Sequence, residues 1–397
     1  LVITSSGGTV IFPGDVNIIS GCTDSSACNY NPDATSSDAS CTYPEAEFCD
    51  CFGNSEEDCN GVCGGSAVED IFSVCGGDNT IQNAIDNAQE NDVIIVPSGT
   101  YFESLEVFNS VSIVCEDPSQ EDSCILDARG LSGSAVTFST SQARLEGFTI
   151  PGDNTMFAGV TITPSSRNIE VINNRIYGMT LSNPGNDSPL SYGVLAYGNS
   201  EEDRPQDIMI IDNDISMIGG SGISLGDFTG PVMIAENNIH DIIPVEVLGQ
   251  PFSAAVQGRY AQLNFENNTV SNVIIGLSIP SSSGSSNNNS YSNVSTYLST
   301  TTDTENEFAF NQSNDLNYWI SESTLDSLGL AFVSYVSSLE LATMIADSGS
   351  SVVSSDGVVT SQDCNGDWGG TATTDNCGTC DSDSSNDCPA DCNGVYG

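Results

Sequence analysis

The phrase V-I-N-N-R-I at residues 171–176 decides the fold, because close copies of it return along the chain. They read I-I-D-N-D-I at 210–215, I-A-E-N-N-I at 234–239 and F-E-N-N-T-V at 265–270. We also align L-E-G-F-T-I at 145–150 and a degraded copy, I-S-E-S-T-L, at 320–325. Steps of 26, 39, 24, 31 and 55 residues separate the aligned positions Phe148, Asn174, Asn213, Asn237, Asn268 and Ser323. Repeats in this period range are typical of stacked coils, with loops inserted where a step is long.

The Asn in the middle of each copy has a structural role in such a fold. Stacked coils turn at the same place, and one residue of the turn tends toward the left-handed conformation, which Asn tolerates. The side-chain amide can also bond to the equivalent amide one coil away. We therefore predict a ladder of stacked amides formed by Asn174, Asn213, Asn237 and Asn268. Ligand binding by these amides is the alternative.

The start of the repeated region gives a second signal. Apolar residues at 81, 84, 85 and 88 follow helical spacing. The segment D-V-I-I-V-P-S-G-T-Y at 92–101 predicts a buried strand that ends at Pro-Ser-Gly. This order of helix and strands resembles the start of pectin-lyase-like right-handed parallel β-helix proteins. The resemblance implies an all-β solenoid over residues 79–360, with a short N-terminal helix that covers the exposed strand edges of the first coil.

The long steps predict insertions, and inserted loops often carry function. We place them at about 180–206, 241–258 and 280–315, of which the last is the longest and is rich in Ser, Thr and Asn. It is expected to be a flexible or a glycosylated loop. Sequons for N-glycosylation occur at Asn186, Asn267, Asn288, Asn293 and Asn311. A chain rich in Asn and Ser also produces such matches by chance.

The charge balance excludes several classes of function. Six Lys+Arg, all of them Arg, stand against 54 Asp+Glu in 397 residues, which gives a formal net charge of -48. Nucleic-acid binding needs clustered bases for phosphate contacts and is not expected, nor is attraction to anionic lipids. No apolar run approaches the roughly 20 residues of a membrane-spanning helix. The 15 Cys indicate an oxidising compartment, so we predict an extracellular protein of a cell or virion surface.

The Cys divide the chain into modules. Residues 1–20 read as two strands or as the end of a preceding unit, 21–78 as a Cys-rich module, and 361–397 as an acidic Cys-rich module that stops within a repeat. In the body between them, Cys115 and Cys124 are predicted to form a disulfide. The other disulfides are predicted to stay within each module, among Cys22, Cys28, Cys41, Cys49, Cys51, Cys59, Cys63 and Cys75, and among Cys364, Cys377, Cys380 and Cys388. The odd Cys392 is expected to be unpaired or to bond to a partner beyond Gly397 or in another chain.

Both modules carry distinctive phrases. One is G-C-T-D-S-S-A-C-N-Y-N-P at 21–32. Another, D-C-N-G-V-C-G-G at 58–65, returns at 363–370 with Trp368 in place of its second Cys and begins again at 391. These phrases resemble short repeats of large secreted proteins from marine bacteria, algae and their viruses. The role of such repeats is mostly structural or unknown.

Acidic residues at short spacing in both modules suit Ca²⁺, which takes roughly six to eight oxygen ligands. We predict ligands from Asp363, Asp367, Asp375, Asp381, Asp383 and Asp387 in the second module, and from Asp24, Asp58, Asp70 and Asp78 in the first. Solvated acidic turns are the alternative. A zinc site at Cys377 and Cys380 competes with the disulfides predicted there. No organic cofactor is expected.

The candidates for catalysis are scattered. G-G-S-G-I-S at 219–224 resembles the G-G-H-G-I-S phrase of polygalacturonases, but Ser221 stands in the place of the His. Asp212 and Asp214 flank a ladder Asn, and strand alternation predicts that both face the same side, as a carboxylate pair for acid–base hydrolysis would. His240, the only His, and Arg259 complete the set. A solvated polar surface is the alternative for each.

Aromatic residues offer a further possibility. Rings on a solenoid surface can stack against sugars, although they more often line the core or cap coil ends. The candidates are Tyr192, Tyr260, Tyr318 and Trp319.

Three hypotheses of function follow from these patterns. The first is a non-catalytic building block of a surface appendage, sheath or virion fibre, which self-associates or joins other surface proteins through its Cys-rich ends. The second is an adhesin that binds glycans along the solenoid. The third is a lyase or hydrolase that acts on acidic polysaccharides.

Overall fold

A computed structural model describes residues 18–45, 48–54, 56–181, 190–247, 249–302, 308–311, 318–322, 331–336, 351–354, 359–367, 369–375, 378–383 and 385. The chain divides into two compact units, Leu1–Asp78 and Asn79–Gly397. Among the described residues, no helix is long and apolar enough to cross a membrane. The two strands predicted within residues 1–20 lie almost wholly outside the described ranges.

The first unit is held together by disulfides rather than by regular structure. Its two short strands, β1 (Ser20–Gly21) and β2 (Ser36–Ser37), pair in parallel. Four disulfides join its Cys in the pairs Cys22–Cys41, Cys28–Cys51, Cys49–Cys63 and Cys59–Cys75. A unit of this size with so little core depends on such cross-links for stability.

The second unit opens with a helix and continues in strands. In chain order these are α1 (Ile81–Asn87), β3 (Val93–Val96), β4 (Gly99–Tyr101), β5 (Leu105–Val107), β6 (Ser112–Cys115), β7 (Cys124–Leu126), β8 (Gly133–Phe138), β9 (Ser141–Glu146), β10 (Phe148–Pro151), β11 (Met156–Ile162), β12 (Arg167–Ile172), β13 (Arg175–Tyr177), β14 (Ser191–Ala196), β15 (Gln206–Ile211), β16 (Asp214–Ser216), β17 (Gly220–Leu225), β18 (Val232–Ala235) and β19 (Asn238–His240).

The later strands include one hairpin and an antiparallel end. They are β20 (Val245–Val247), β21 (Gln250–Phe252), β22 (Ala254–Gly258), β23 (Gln262–Glu266), β24 (Thr269–Ser278), β25 (Ser283–Asn287), β26 (Ser290–Thr302), β27 (Phe308–Asn311), β28 (Tyr318–Glu322), β29 (Ala331–Val336), β30 (Ser351–Ser354), β31 (Val359–Ser361), β32 (Thr373–Thr374) and β33 (Cys380–Asp381).

Most of the strands from β3 to β27 stack in parallel as a right-handed parallel β-helix, as the resemblance implied. Sheet 1 contains β3, β6, β9, β12, β15, β18, β23, β25 and β27. Sheet 2 contains β4, β7, β10, β13, β16, β19 and the first halves of β24 and β26. Sheet 3 contains β5, β8, β11, β14, β17, β22 and the second halves of β24 and β26. Each coil therefore visits the three sheets in turn around one apolar core.

Helix α1 lies at the first coil, against β3 and β5. Its buried residues are Ile81, Ala84 and Ile85. Side chains satisfy the amides that begin the helix: the carboxylate of Glu103 accepts from the N–H groups of Ile81 and Gln82, at 2.9 and 3.0 Å. The hydroxyl of Thr80 caps the helix by accepting from the third helical residue. The helix covers an open end of the core without leaving its own N-terminus unsatisfied.

A ladder of buried Asn side chains joins successive coils where sheet 1 turns into sheet 2. Oδ1 of each Asn accepts the N–H of the equivalent residue one coil earlier, at 2.8–3.0 Å, along the series Phe148, Asn174, Asn213, Asn237, Asn268 and Asn289. Nδ2 donates to backbone carbonyls, as from Asn213 to Val171 and Ile211. Each amide thus satisfies backbone groups that the turn would otherwise bury without partners.

The left-handed residue of this turn is not the ladder Asn, as the sequence had led us to expect, but the residue before it. The positive φ angles, from 53° to 60°, belong to Asn173, Asp212, Glu236, Asn267 and Asn288. The reason is geometric, because the ladder side chain must point inward to reach the backbone of the neighbouring coil. The chain makes its sharp turn one residue earlier, and in one coil this left-handed position is occupied by a Glu, Glu236.

The last rung also differs from the prediction. Asn289 follows Asn268 after 21 residues, whereas we had aligned Ser323 there. Much of the insertion predicted at 280–315 is instead coil, formed by β25 and β26. A Ser- and Asn-rich composition is typical of loops, but a small residue such as Ser286 lies buried in this coil. The insertions predicted at 180–206 and 241–258 likewise contain the coil strands β14 and β22.

The parallel coils also end earlier than the predicted residue 360. Strands β28, β29, β30 and β31 pair in antiparallel fashion with one another or with β26. The first three residues of the phrase at 320–325 lie in β28, which pairs in antiparallel fashion, and Ser323 lies outside the described residues. Beyond it, β32 and β33 form a small antiparallel ribbon, and a disulfide joins Cys380 on β33 to Cys364.

A column of small residues lies across the core from the ladder phrases. On sheet 3, Gly159, Gly193 and Gly222 occupy successive coils. A Cβ atom at each of these positions would lie 2.4, 2.6 and 2.7 Å from the Cγ2 atoms of Ile176, Ile215 and Ile239, respectively. The Ile that closes each ladder phrase therefore packs against a bare backbone. This second repeat, a small residue in the middle of each sheet 3 strand, escaped the sequence analysis.

We predict that Asn213→Ala lowers the free energy of unfolding by about 3 kcal/mol or more. The change leaves the N–H of Asn174 and the carbonyls of Val171 and Ile211 without their amide partner, and each buried unsatisfied group costs about 1–3 kcal/mol. Chemical denaturation followed by circular dichroism measures the effect. The control is Asn264→Ala, an exposed Asn on β23. Equal stability of the two variants would refute the role of the ladder.

We also predict that Gly222→Ala destabilises the protein by about 1–3 kcal/mol, the usual effect of overpacking. The new methyl group would lie 2.7 Å from Cγ2 of Ile239 and 2.9 Å from the carbonyl oxygen of Ala255. Gly99→Ala is the matched control on a strand, since its nearest neighbour would be 3.7 Å away. The melting temperatures of the two variants measure the difference in stability. A Gly222→Ala variant as stable as Gly99→Ala would contradict the packing argument.

Candidate functional site

Two of the predicted residues, Asp214 and His240, meet on sheet 2. The register of β16 and β19 pairs Ser216 with His240. Nε2 of His240 lies 3.1 Å from Oδ1 of Asp214, and Nδ1 lies 2.7 Å from Oδ2 of Asp241. The hydrogen bond with His240, followed by one from the amide of Asn272, lowers the pKa of Asp241. The ring is thus held between carboxylates from two coils.

Further contacts occupy most of the hydrogen-bonding capacity of the cluster formed by Asp214, His240 and Asp241. Oδ1 of Asp214 also accepts from Nδ2 of Asn238 at 2.7 Å. Oδ2 of Asp214 lies 3.9 Å from Nε of Arg175, which in turn contacts Glu121 at 2.5 Å. The guanidinium of Arg175 lies 4.9 Å from the ring centroid of Tyr177. The cluster can exchange a proton between carboxylate and imidazole, and its internal bonds also tie neighbouring coils together.

Asp212 is placed differently from the prediction. It occupies the left-handed corner between β15 and β16, with φ of 57°, so a turn and not a strand separates it from Asp214. The alternation argument therefore does not apply to this pair. Both residues nevertheless line one pocket of about 340 Å³ at that corner. We call it the acidic pocket, and its charged residues are Glu121, Asp122, Arg175, Asp212 and Asp214.

The phrase at 219–224 has a packing role. It forms most of β17, and Ser221 is fully buried with no hydrogen-bond partner for its hydroxyl. Gly222 belongs to the column that receives the Ile side chains. The resemblance to the polygalacturonase phrase therefore falls on residues that fill the core.

A larger cavity, of about 520 Å³, lies over sheet 3. Its aromatic wall includes Phe157 and Tyr192, whose rings meet edge to face with centroids 5.2 Å apart. The hairpin β20–β21 supplies Val247 and Phe252. Partial burial raises the pKa of the Tyr192 phenol. We call this cavity the aromatic cleft.

Polar groups lie on the floor and at one end of the aromatic cleft. Nε2 of Gln257 donates to Oγ of Ser224 at 3.2 Å. Arg259 stands at the end of β22 and covers Tyr260, with 4.8 Å between guanidinium and ring centroid. Tyr260 stacks in turn on Phe228 at 5.3 Å. Arg259 makes no ion pair with any described residue, unlike Arg175.

The catalytic candidates are thus distributed over two places. Asp212, Asp214 and His240 lie at or near the acidic pocket, and Arg259 lies at the aromatic cleft. The aromatic candidates Tyr192 and Tyr260 belong to the cleft region, whereas the side chains of Tyr318 and Trp319 lie outside the described part of the structure. Sequence reasoning missed Phe157, Phe252 and Gln257, which only the stacking of β11, β21 and β22 brings together.

Several predicted Ca²⁺ ligands hold turns together. In both Asp58 and Asp363, one carboxylate oxygen accepts from the backbone N–H groups two and four residues on, and the other accepts from the N–H nine residues on. Asp70 repeats the first two bonds 12 residues after Asp58. Asp24 accepts from Ser26 and from the hydroxyl of Tyr43.

Ca²⁺ binding by these modules stays a prediction. Within the described ranges, no group of three or more His, Cys, Asp or Glu side chains is arranged to hold a metal ion. Asp387 lies outside those ranges. The sequence had offered no sign that the repeated phrase D-C-N-G encodes a turn whose own backbone occupies the carboxylate.

The remaining predicted sites concern covalent chemistry. Cys115 and Cys124 form a disulfide with their Cα atoms 5.8 Å apart. Cys377, Cys388 and Cys392 lie outside the described residues. The sequon residues Asn267, Asn288 and Asn293 are exposed at corners of the coils, all with positive φ. The other two sequon residues fall outside the described part of the structure: Asn186 entirely, and Asn311 in its side chain.

Comparison with known proteins finds likeness in structure only. No family model matches the sequence, and neither does any curated protein. An alginate lyase from Paenibacillus sp. strain FPU-7 is 11% identical, with a TM-score of 0.28 over 58% of this chain and 95% of the lyase. The A-module of the mannuronan C-5 epimerase AlgE4 from Azotobacter vinelandii is 12% identical, with a TM-score of 0.22 over 65% of this chain and 98% of that module.

A third solved structure is the iota-carrageenase of family GH82 from A. fortis, determined in the absence of chloride ions. It is 12% identical to this chain, with a TM-score of 0.30 over 70% of this chain and 67% of the enzyme. At these identities and scores, the comparisons do not bear on activity.

One prediction concerns the acidic turns of the first unit. The hydrogen bond from Tyr43, followed by those from Ser26, lowers the pKa of Asp24 from 3.8 to about 2. A lowered pKa contributes stability that is complete above the unfolded value of 3.8 and is lost as the pH falls through about 2. We expect Tyr43→Phe to raise the pKa of Asp24 towards 3.8, as measured by a nuclear magnetic resonance titration of its carboxyl carbon. Tyr30→Phe, in the same unit, is the control and should leave the titration of Asp24 unchanged.

Proposed function

We propose that this protein is secreted or displayed at a surface and binds an anionic polysaccharide in the aromatic cleft. The observation that carries the proposal is Arg259, which hydrogen-bonds to the hydroxyl of Tyr260 but makes no ion pair with a described residue, at the end of a cleft walled by Phe157, Tyr192 and Phe252. Aromatic faces pack against the apolar sides of sugar rings. Amide and hydroxyl groups such as those of Gln257 and Ser224 can hydrogen-bond to sugar hydroxyls.

The charge pattern supports an anionic ligand. The chain has six basic residues against 54 acidic ones, and Arg175 is already engaged by carboxylates. Because Arg259 makes no ion pair within the described part of the chain, its guanidinium is available to a ligand. A guanidinium binds carboxylate or sulfate oxygens through two parallel hydrogen bonds. Among the described residues, Asp227 is the one carboxylate that lines the same cleft.

Binding is supported better than cleavage. Glycoside hydrolysis commonly uses two carboxyl groups on either side of the scissile bond, and the described lining of the aromatic cleft offers Asp227 alone. Asp212 and Asp214 lie at the corner between sheets 1 and 2, not over sheet 3. We therefore place the glycan-binding hypothesis first and keep turnover of acidic polysaccharides as an outcome that the binding experiments can reveal.

The building-block hypothesis and the role of Ca²⁺ in it also stay predictions. They rest on the Cys-rich modules, whose last Cys residues lie outside the described part of the structure. A polysaccharide-binding solenoid is compatible with such an assembly, because the residues that line the aromatic cleft belong to the coils and not to the Cys-rich modules.

We expect Arg259→Ala to weaken binding of an anionic polysaccharide by about tenfold or more, because hydrogen bonds to charged groups contribute about 1.5–3 kcal/mol. Tyr192→Ala should weaken it by a similar factor through loss of ring contact. Isothermal titration with uronate and sulfated polysaccharides, and with neutral ones for comparison, measures both. Product analysis of the same mixtures reports any turnover.

Arg167→Ala is the matched control for charge. Arg167 lies exposed on β12 of sheet 1, contacts Gln206, and makes no ion pair with a described residue. Its loss changes the net charge by the same amount as the loss of Arg259. Equal weakening by the two substitutions, or a failure of every anionic polymer to bind, would remove the proposal.

A further inference from the structure

The aromatic cleft extends across several coils of the solenoid. Its lining comes from neighbouring strands of sheet 3, which in order are β11, β14, β17, β22 and β24. Parallel neighbours lie about 4.8 Å apart, so the steps from β11 to β24 span about 19 Å. The long direction of the cleft therefore follows the axis of the solenoid, and this length exceeds that of one sugar ring.

The floor of the cleft changes in polarity along this direction. One register position on successive strands is occupied by Leu195, Ser224, Gln257 and Ser278, and all of them line the cleft. The apolar residue lies on β14, and the hydroxyl and amide residues lie on the strands that follow. The two ends of the cleft accordingly offer different chemistry to a bound chain.

The end at β11 and β14 is apolar and aromatic. Phe157 and Tyr192 meet there edge to face, and the hydroxyl of Tyr192 is engaged by Gln257. Among the described lining residues, β11 and β14 supply no charged side chain. Placing a carboxylate or sulfate against such a surface costs free energy, because the lost water is not replaced by donors or by a cation. A neutral sugar ring does not carry this cost, so it suits this end.

The charged lining residues lie at the corner that follows β17 and β22. Arg259 is held there, because its Nη2 donates to the hydroxyl of Tyr260 at 3.1 Å and its guanidinium covers that ring. Tyr260 stacks in turn on Phe228. Phe157 stands on a strand that lies three steps from the strand of Arg259, or about 14 Å away. A single anionic sugar is too short to stack on Phe157 and reach Arg259 as well.

The cleft provides for few anionic groups at a time. In its described lining, Arg259 is the only basic residue and Asp227 the only acidic one. The register pairs Leu225 with Gly258, so Asp227 and Arg259 lie close together on neighbouring strands. A chain with an anionic group on every sugar would bring further anions towards Asp227 and towards the apolar end. No cation of the described lining meets them at either place.

We propose that the aromatic cleft selects a polysaccharide in which neutral and anionic sugars are mixed. A neutral sugar stacks at the Phe157 end, and an anionic sugar further along the same chain binds Arg259. This inference rests on the glycan binding proposed above and adds the charge pattern of the ligand. A fully charged polymer places anions where no cation receives them, and a neutral polymer leaves Arg259 without an anion.

The test titrates the whole protein with two series of oligosaccharides of equal length. One series is oligogalacturonate with a rising degree of methyl esterification, and the other is oligomannuronate with a rising degree of carboxyl reduction. Each series runs on one backbone from a charge on every sugar to none. At about 0.15 M salt, repulsion by distant surface charge is largely screened. In a series that binds, we expect the Kd from isothermal titration to be lowest at intermediate charge, severalfold below its value at both ends.

Two substitutions locate the selection in the cleft. Asp227→Asn should strengthen binding of the fully charged oligosaccharide more than that of the mixed one. Asp207→Asn is its control, because Asp207 is exposed on β15 of sheet 1 and the change in net charge is the same. Phe157→Arg places a cation at the apolar end and should move the optimum towards full charge, whereas Phe157→Leu should not. Circular dichroism melting checks folding, and Asp227→Asn alone suffices if Phe157→Arg does not fold.

The outcomes separate this inference from the proposed function. If the fully charged member binds most tightly in every series that binds, the inference is wrong and the proposed function stands. Equal effects of Asp227→Asn and Asp207→Asn also overturn the inference, because they assign the preference to net charge. If the neutral member binds as tightly as the mixed one, or if neither series binds, the inference and the proposed function fail together.

Discussion

The bond from the backbone N–H of one ladder residue to the side-chain oxygen of the next holds the solenoid in register. At the corner between sheets 1 and 2 the chain turns within two residues, and its backbone groups are buried there. Without hydrogen-bond partners, these buried backbone groups would destabilise the folded state. The amide provides both an acceptor and two donors, which a hydroxyl or a carboxylate cannot do at once. Every coil from Phe148 to Asn289 is positioned by this contact.

Fixing this corner determines what lies on either side of it. Inward, the Ile two residues after Asn174, Asn213 or Asn237 lies at the same level of the core in each coil, opposite Gly159, Gly193 or Gly222 of sheet 3. Outward, the residue before each ladder Asn is always at the left-handed corner, and this is how Asp212 comes to line the acidic pocket. The same turn therefore sets the packing of the core and the chemistry of the surface.

The coils could be predicted from the sequence more completely than the candidate sites. Asn174, Asn213, Asn237 and Asn268 could be found because one amide repeats at one structural position. Asn289 was missed because the phrase around it has Ser and Tyr where the others have apolar residues, and a Ser-rich coil has the composition of a loop. The lining of the aromatic cleft could not be read at all, since Phe157, Tyr192 and Phe252 come from three strands whose spacing in the sequence differs from coil to coil.

The distribution of Arg follows from the same geometry. In a chain of net charge -48, each of the six guanidiniums experiences attraction from many carboxylates. Arg175 forms ion pairs because the loop closed by the disulfide Cys115–Cys124 brings Glu121 and Asp122 close to it. Arg259 makes no ion pair with a described residue, and Tyr260 covers one face of its guanidinium. A solenoid that separates its faces by fixed corners can thus keep a cationic end of one cavity and an anionic pocket on the next face.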